Sequence, residues 1–187
     1  MHLGLTALLD FYRAHQEEDA LVLGTVVATQ GSTYRKPGAM MLIAADSSYR
    51  GLISGGCLES DLAAHAKDVF ADGKTRNVCY DLSEGDEFAW GLGLGCDGII
   101  HLMLQRLERD TGFGFLETLD SAWRKRSSGL LSLVTSSSDP AYSAGDFAIE
   151  CDTGFSTGDT LLMQGKQTDE GASFSKGHDM SRRYWQD

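Results

Sequence analysis

The chain has 187 residues, 42% of them hydrophobic, with a formal net charge of -11 and a pI near 4.8. Length and apolar content suffice for one buried core and a partial second, while the acidic balance and the lack of a basic stripe exclude nucleic acid as a partner. No apolar run reaches the roughly 18–20 residues of a membrane helix and the N-terminus lacks a basic-then-apolar leader, so the expected setting is cytoplasmic, with no membrane partner.

Leu5, Leu8, Leu9 and Tyr12 recur at helical spacing and predict a short amphipathic helix. The almost wholly apolar, β-branched run from Ala20 to Thr29 predicts a core strand buried on both faces. Gly31 to Gly38 is a loop by its glycines and proline, and its adjacent Arg35 and Lys36 suit a phosphate as well as they suit solvent. Ala39–Ala45 and Tyr49–Ile53 follow as strands around an Asp46-Ser47-Ser48 turn.

A stripe through Leu58, Leu62, Ala66 and Val69 then predicts a helix that ends near Gly73 as its C-cap, before a strand over Thr75–Tyr80. Ile99–Leu107 reads as a strand, and Phe115, Leu116, Leu119 and Trp123 as a helix running into the basic cluster Arg124-Lys125-Arg126. Gly129–Ser136 weakly echoes Leu21–Thr29, and Ala144–Asp152 echoes Pro37–Asp46, implying a second copy of the strand pattern that completes the same layered fold. The expected class is α/β, with α+β open: a mixed layered sheet with packed helices. Residues 1–163 are expected to form the domain and 164–187, rich in Gly, Ser and charge, a flexible tail or linker.

Two glycine-rich turns each carry a cysteine: Ser54-Gly55-Gly56-Cys57-Leu58-Glu59 and Gly91-Leu92-Gly93-Leu94-Gly95-Cys96-Asp97-Gly98. Cys57 falls at or just inside a helix start, where unpaired N–H groups and a partial positive charge attract anions and favour a thiolate. The glycines around Cys96 let backbone amides approach a ligand without a Cβ in the way. Cys57, Cys79, Cys96 and Cys151 contain no C-x-x-C pair, so free thiols are expected and a four-cysteine zinc site is not.

The strings Thr25–Met41, Ile53–Glu59 and Trp90–Gly98 resemble, in this order, the xanthine dehydrogenase accessory proteins of the XdhC/CoxI type, a likeness covering roughly residues 20–107. It implies a chaperone that binds molybdenum cofactor as cargo and supports its sulfuration with a cysteine desulfurase. Such a chaperone inserts the cofactor into an apo-molybdoenzyme of the xanthine dehydrogenase type, and a homodimer is implied too. Carried over, Cys57 and Cys96 match the two turn cysteines, and Ser54, Gly55, Gly56, Gly93 and Gly95 their flanks. Either thiolate suits a soft metal, the glycine amides with Arg35 and Lys36 suit phosphate and pterin, and Trp90 suits a pterin face.

Asp97 departs from the family's Gly-Cys-Gly-Gly and adds a negative charge beside an anionic ligand. No Gly-x-Gly-x-x-Gly follows a strand, so the chain reads as the family's N-terminal domain without its Rossmann domain. A maturation factor is thus expected rather than an enzyme. Two rivals remain: a sulfurtransferase or thiol oxidoreductase using Cys57 or Cys96, and a scaffold in which the cysteines are buried fillers.

Overall fold

The helical stripe near the N-terminus forms α1 (Leu3–Ala14) in the computed structural model, which describes residues 3–56, 58–82, 98–111, 113–127, 129–138, 140–151 and 154–156. Contacts divide the chain into two units, Met1–Leu107 and Glu108–Asp187. The first unit ends where the family-like stretch ends; the boundary expected at 163/164 lies outside the described residues.

The first unit is built on β1 (Ala20–Gly31), β2 (Met40–Ile43), β3 (Tyr49–Gly51), β4 (Arg76–Asp81) and β5 (Gly98–Glu108), in the order β3-β2-β1-β5-β4. β1 pairs antiparallel with β2, β2 with β3 and β4 with β5. Gly98 abuts Gln30 and Gly24 abuts Leu104, so β5 also runs against β1. Sheet and helices are layered as the α/β or α+β expectation has it, with antiparallel neighbours throughout this sheet. A helix, α2 (Glu59–Asp72), connects β3 at one edge to β4 at the other.

That crossover explains why β1 is buried along its first seven residues. Leu62, Ala63, Ala66 and Val69 of α2 pack on Val22, Val26, Met41, Ile43, Leu102 and Leu104, the side chains of one sheet face. Residues of opposite parity, including Leu21, Leu23 and Leu42, face the other way, where α1 packs against β2 and β3. With a helix on each side, a central antiparallel strand reads as an unbroken apolar run. α2 ends on Gly73, whose φ of 70° is left-handed and whose N–H donates to the Val69 carbonyl.

In the second unit, a 3-10 turn (Arg109–Thr111) and α3 (Leu116–Arg124) precede a sheet in the order β6 (Gly129–Leu133), β7 (Phe147–Cys151) and β8 (Gly154–Ser156). β8 falls where the sequence shows no strand pattern. The internal echo is present at atomic detail. Gly38 (φ 91°) donates its N–H to Val26 O and Val26 N–H donates to Ala39 O; Gly145 (φ 102°) donates to Val134 O and Val134 N–H to Asp146 O. The second copy, however, forms its own three-stranded sheet instead of joining the first, because β6 finds its partner in β7 as β1 does in β2.

Candidate functional site

β1, β3 and β4 run in the same direction, so the segments that follow them leave from one end of the sheet. These are the loops 32–39 and 52–58 and the stretch 83–97, the three that carry every candidate site residue. Arg35 and Lys36 sit on the first; Ser54, Gly55 and Gly56 sit on the second. Cys57, Trp90, Gly93, Gly95 and Cys96 lie outside the described residues, so of the two glycine turns only Ser54, Gly55 and Gly56 and the roots of the loops are placed.

Those roots are tied together. Leu82 N–H donates to Gly98 O at 3.0 Å, closing the base of the 83–97 stretch. A Cβ on Gly98 would stand 2.6 Å from Gln30 O, Ser32 O and Thr33 Cγ2, so only glycine lets β5 begin hard against the loop that carries Arg35. On the other side, the Tyr80 hydroxyl donates to Asp61 Oδ2 in the first turn of α2, binding that helix start to the end of β4, two residues before Leu82. His65 Nε2 lies 3.4 Å from the same oxygen. Burial, then the hydrogen bond to Asp61 and its charge, then the charge of Glu59, raise the Tyr80 phenol far above its ordinary pKa of 10.0.

The Ser-Gly-Gly turn is held by a carboxylate to which the motif itself assigns no role. Glu59 is 1% exposed. Its Oε1 accepts the N–H groups of Ile53 (3.0 Å) and Ser54 (2.8 Å), and its Oε2 accepts the Ser54 hydroxyl (2.7 Å). Ser54 Oγ in turn accepts the N–H groups of Gly56 (3.2 Å) and Leu58 (3.1 Å). Ser54 and Glu59 thus bracket Cys57 with five hydrogen bonds. A sequence signal existed: a Glu that opens a helix straight after a glycine turn is placed to accept turn amides, the logic of a capping box at shifted spacing.

Two details amend the helix-start argument. α2 begins at Glu59 with Leu58 as N-cap, so Cys57 precedes the helix by two residues in sequence. Its first turn holds Glu59 and Asp61, whose negative charges take up the positive end of the helix dipole. An anion at this rim therefore depends on free amides and on cations from the neighbouring loop. Gly55 N–H has no hydrogen-bond partner among the described residues, and a Cβ at Gly55 or Gly56 would meet nothing within 4 Å. Gly56 needs glycine for its φ of 113°; Gly55 does not have a positive φ, and its missing side chain leaves an open approach to the amide. Arg35 Nε, shut away from solvent, is without a hydrogen bond among the described residues.

Among those residues, no group of three or more His, Cys, Asp or Glu side chains is arranged to hold a metal ion, and no helix is long and apolar enough to cross a membrane. Cys79, the strand cysteine, is exposed as a free thiol on β4, opposite His101.

Residues 14–81 match the family described as XdhC and CoxI. The chain is 36% identical over 109 residues to a probable xanthine dehydrogenase subunit of Bacillus subtilis (strain 168), a match covering 58% of this chain and 31% of that protein. It is also 36% identical over 87 residues to the molybdenum cofactor insertion chaperone PaoD of Escherichia coli (strain K12), covering 46% and 26% respectively. Its fold is similar to the crystal structure of a xanthine dehydrogenase from Bacillus halodurans, with a TM-score of 0.62 and 27% identity over 88% of this chain and 50% of that one. The matches thus span about a quarter to a half of the length of these relatives.

Proposed function

We propose that this chain, which is similar to the XdhC and CoxI family over residues 14–81, takes part in molybdenum cofactor maturation, holding the cofactor as cargo and delivering it to an apo-molybdoenzyme of the xanthine dehydrogenase type. The observation that carries this reading is the convergence of three loop roots at one end of the sheet, one loop offering the open Gly55 amide and another the basic pair Arg35 and Lys36. The cargo combines a phosphate, a polar pterin and a soft metal dithiolene centre. Free amides and cations match the first two, and cysteine thiolates match the third.

In this reading Ser54 and Glu59 hold the first glycine turn open, the Gly55 amide and the Arg35 and Lys36 charges take the phosphate end, and Cys57 or Cys96 ligates the metal. Gly56, Gly93 and Gly95 keep the turns free of side chains, and Trp90 covers a pterin face. Sulfuration of the cargo by a cysteine desulfurase, a homodimeric state and a cytoplasmic setting complete the proposal. Light scattering at tens of micromolar tests the dimer, and a monomeric mass removes it.

The test of function is anaerobic mixing with cofactor released from a purified molybdoenzyme, followed by gel filtration and metal analysis. Molybdenum is expected to co-elute with the wild-type chain and with Cys79→Ser, and to be lost from Cys57→Ser or Cys96→Ser. A thermal melt within a few degrees of wild type shows that ligation, not folding, was removed. Retention unchanged in both turn variants sinks the thiolate-ligand reading, and no co-elution with wild type sinks the chaperone reading.

A further inference from the structure

Tyr34 is the large hydrophobic side chain left in solvent among the described residues, 60% exposed. Single exposed aromatics are ordinary on protein surfaces, so exposure alone says little. What distinguishes Tyr34 is its support. The Arg35 guanidinium lies over its ring, 5.5 Å from the centroid. Arg35 is half-buried, and its Nε is shut away from solvent without a hydrogen bond among the described residues, although the chain carries a net charge of -11. A guanidinium that is paired with an aromatic face while carboxylates abound keeps its charge for an anion that meets its terminal nitrogens.

The loop beneath is pinned. Thr33 Oγ1 donates to Arg35 O at 2.8 Å, Gly38 N–H donates to Val26 O at 2.7 Å, and Gly98 packs against Ser32 and Thr33 with no room for a side chain. An aromatic on a fixed loop loses little freedom when a ring stacks on it.

The second copy of the hairpin supplies an internal control. There the loop tyrosine, Tyr142, folds onto Val134 and Ala148 and is 8% exposed, and the loop sequence from Thr135 to Gly145 carries no basic residue. The same hairpin design buries its tyrosine in one copy and presents it, beside a cation, in the copy at the candidate site.

We propose that Tyr34 and Arg35 form a stacking platform for a flat heterocycle that carries a phosphate: the open ring face of Tyr34 takes the bicyclic pterin plane, and the guanidinium takes the anionic tail. The proposal deepens the cofactor-handling reading and rests on it. It assigns recognition of the pterin to the β1–β2 loop, independently of the metal and of the two turn cysteines.

The test uses two probes, an oxidised pterin phosphate without metal, read by quenching of pterin fluorescence, and cofactor released anaerobically from a purified molybdoenzyme, read as co-eluting molybdenum. Tyr34→Ala is expected to weaken pterin phosphate binding about tenfold or more, the loss typical of removing one stacked ring, with Tyr34→Trp close to wild type and inorganic phosphate bound equally by all three. Tyr34→Ala binding like wild type, or a loss that Tyr34→Trp does not restore, overturns the platform. Wild-type protein that takes up molybdenum but does not quench the pterin probe also overturns it and leaves the cofactor reading standing. Wild-type protein that takes neither probe removes both.

Discussion

Glu59 is the residue whose removal the structure ranks as most damaging to the rim. Its carboxylate, 1% exposed, accepts three hydrogen bonds, two of them from the N–H groups of Ile53 and Ser54, residues 0% and 3% exposed. In Glu59→Ala two buried donors and a buried hydroxyl lose their acceptor at once. At about 1–3 kcal/mol for each orphaned buried group, reduced by water entering the vacated space, the expected loss is roughly 3–5 kcal/mol. That is a large part of the about 5–15 kcal/mol that holds a typical domain folded.

Glu59→Gln keeps one oxygen for the two backbone donors but turns an N–H toward Ser54 Oγ, which already accepts two N–H groups. The serine proton then loses its carboxylate acceptor, and the expected cost is about 1–2 kcal/mol. Urea unfolding followed by circular dichroism measures both. Ser54→Ala should cost about 1–3 kcal/mol, and the double variant Ser54→Ala with Glu59→Ala should cost less than the sum, since the two share one network. If Glu59→Ala lies within about 0.5 kcal/mol of wild type, or Gln is as harmful as Ala, the carboxylate is not holding the turn.

The rim glycines should separate by mechanism. Gly98→Ala places a Cβ 2.6 Å from two backbone oxygens and should cost about 2 kcal/mol or more in urea unfolding, while Gly55→Ala, with open space around it, should stay within about 0.5 kcal/mol yet reduce molybdenum retention. Gly56→Ala, forced to a φ of 113°, should fall between, at about 1–3 kcal/mol. Leu62→Ala, at 0% exposure under the sheet, should lose about 2–5 kcal/mol in the same assay. Because the Tyr80 phenol is raised in the folded state, its contribution is complete below the unfolded value of about 10 and fades as pH climbs above it. Tyr80→Phe should therefore flatten the loss of stability between about pH 10 and 12, and an unchanged alkaline slope would refute a phenol raised by burial and by Asp61.

Much of the architecture was legible in the chain because it is written in local periodicity. α1, β1, α2 with its Gly73 cap, β5 and α3 all lie where apolar spacing and turn residues put them, and the hairpin echo is visible as repeated glycine-strand strings. The likeness to the XdhC and CoxI family over residues 14–81 was legible too, since three short motifs occur in order. β8 was hidden because Gly154–Ser156 is too short to show a period.

What the sequence could not convey is which loops meet. The antiparallel order β3-β2-β1-β5-β4, and with it the placing of the roots of the three motif-bearing segments at one sheet end, depends on pairings between residues as far apart as Gln30 and Gly98. Nor does composition distinguish a solvated glutamate from Glu59, buried under two backbone amides, or an exposed Tyr34 from a buried Tyr142. Periodicity records which side of an element faces a core. Only the packed chain decides which polar groups are shut away from water with partners and which are left at a rim, because that depends on neighbours supplied by distant sequence.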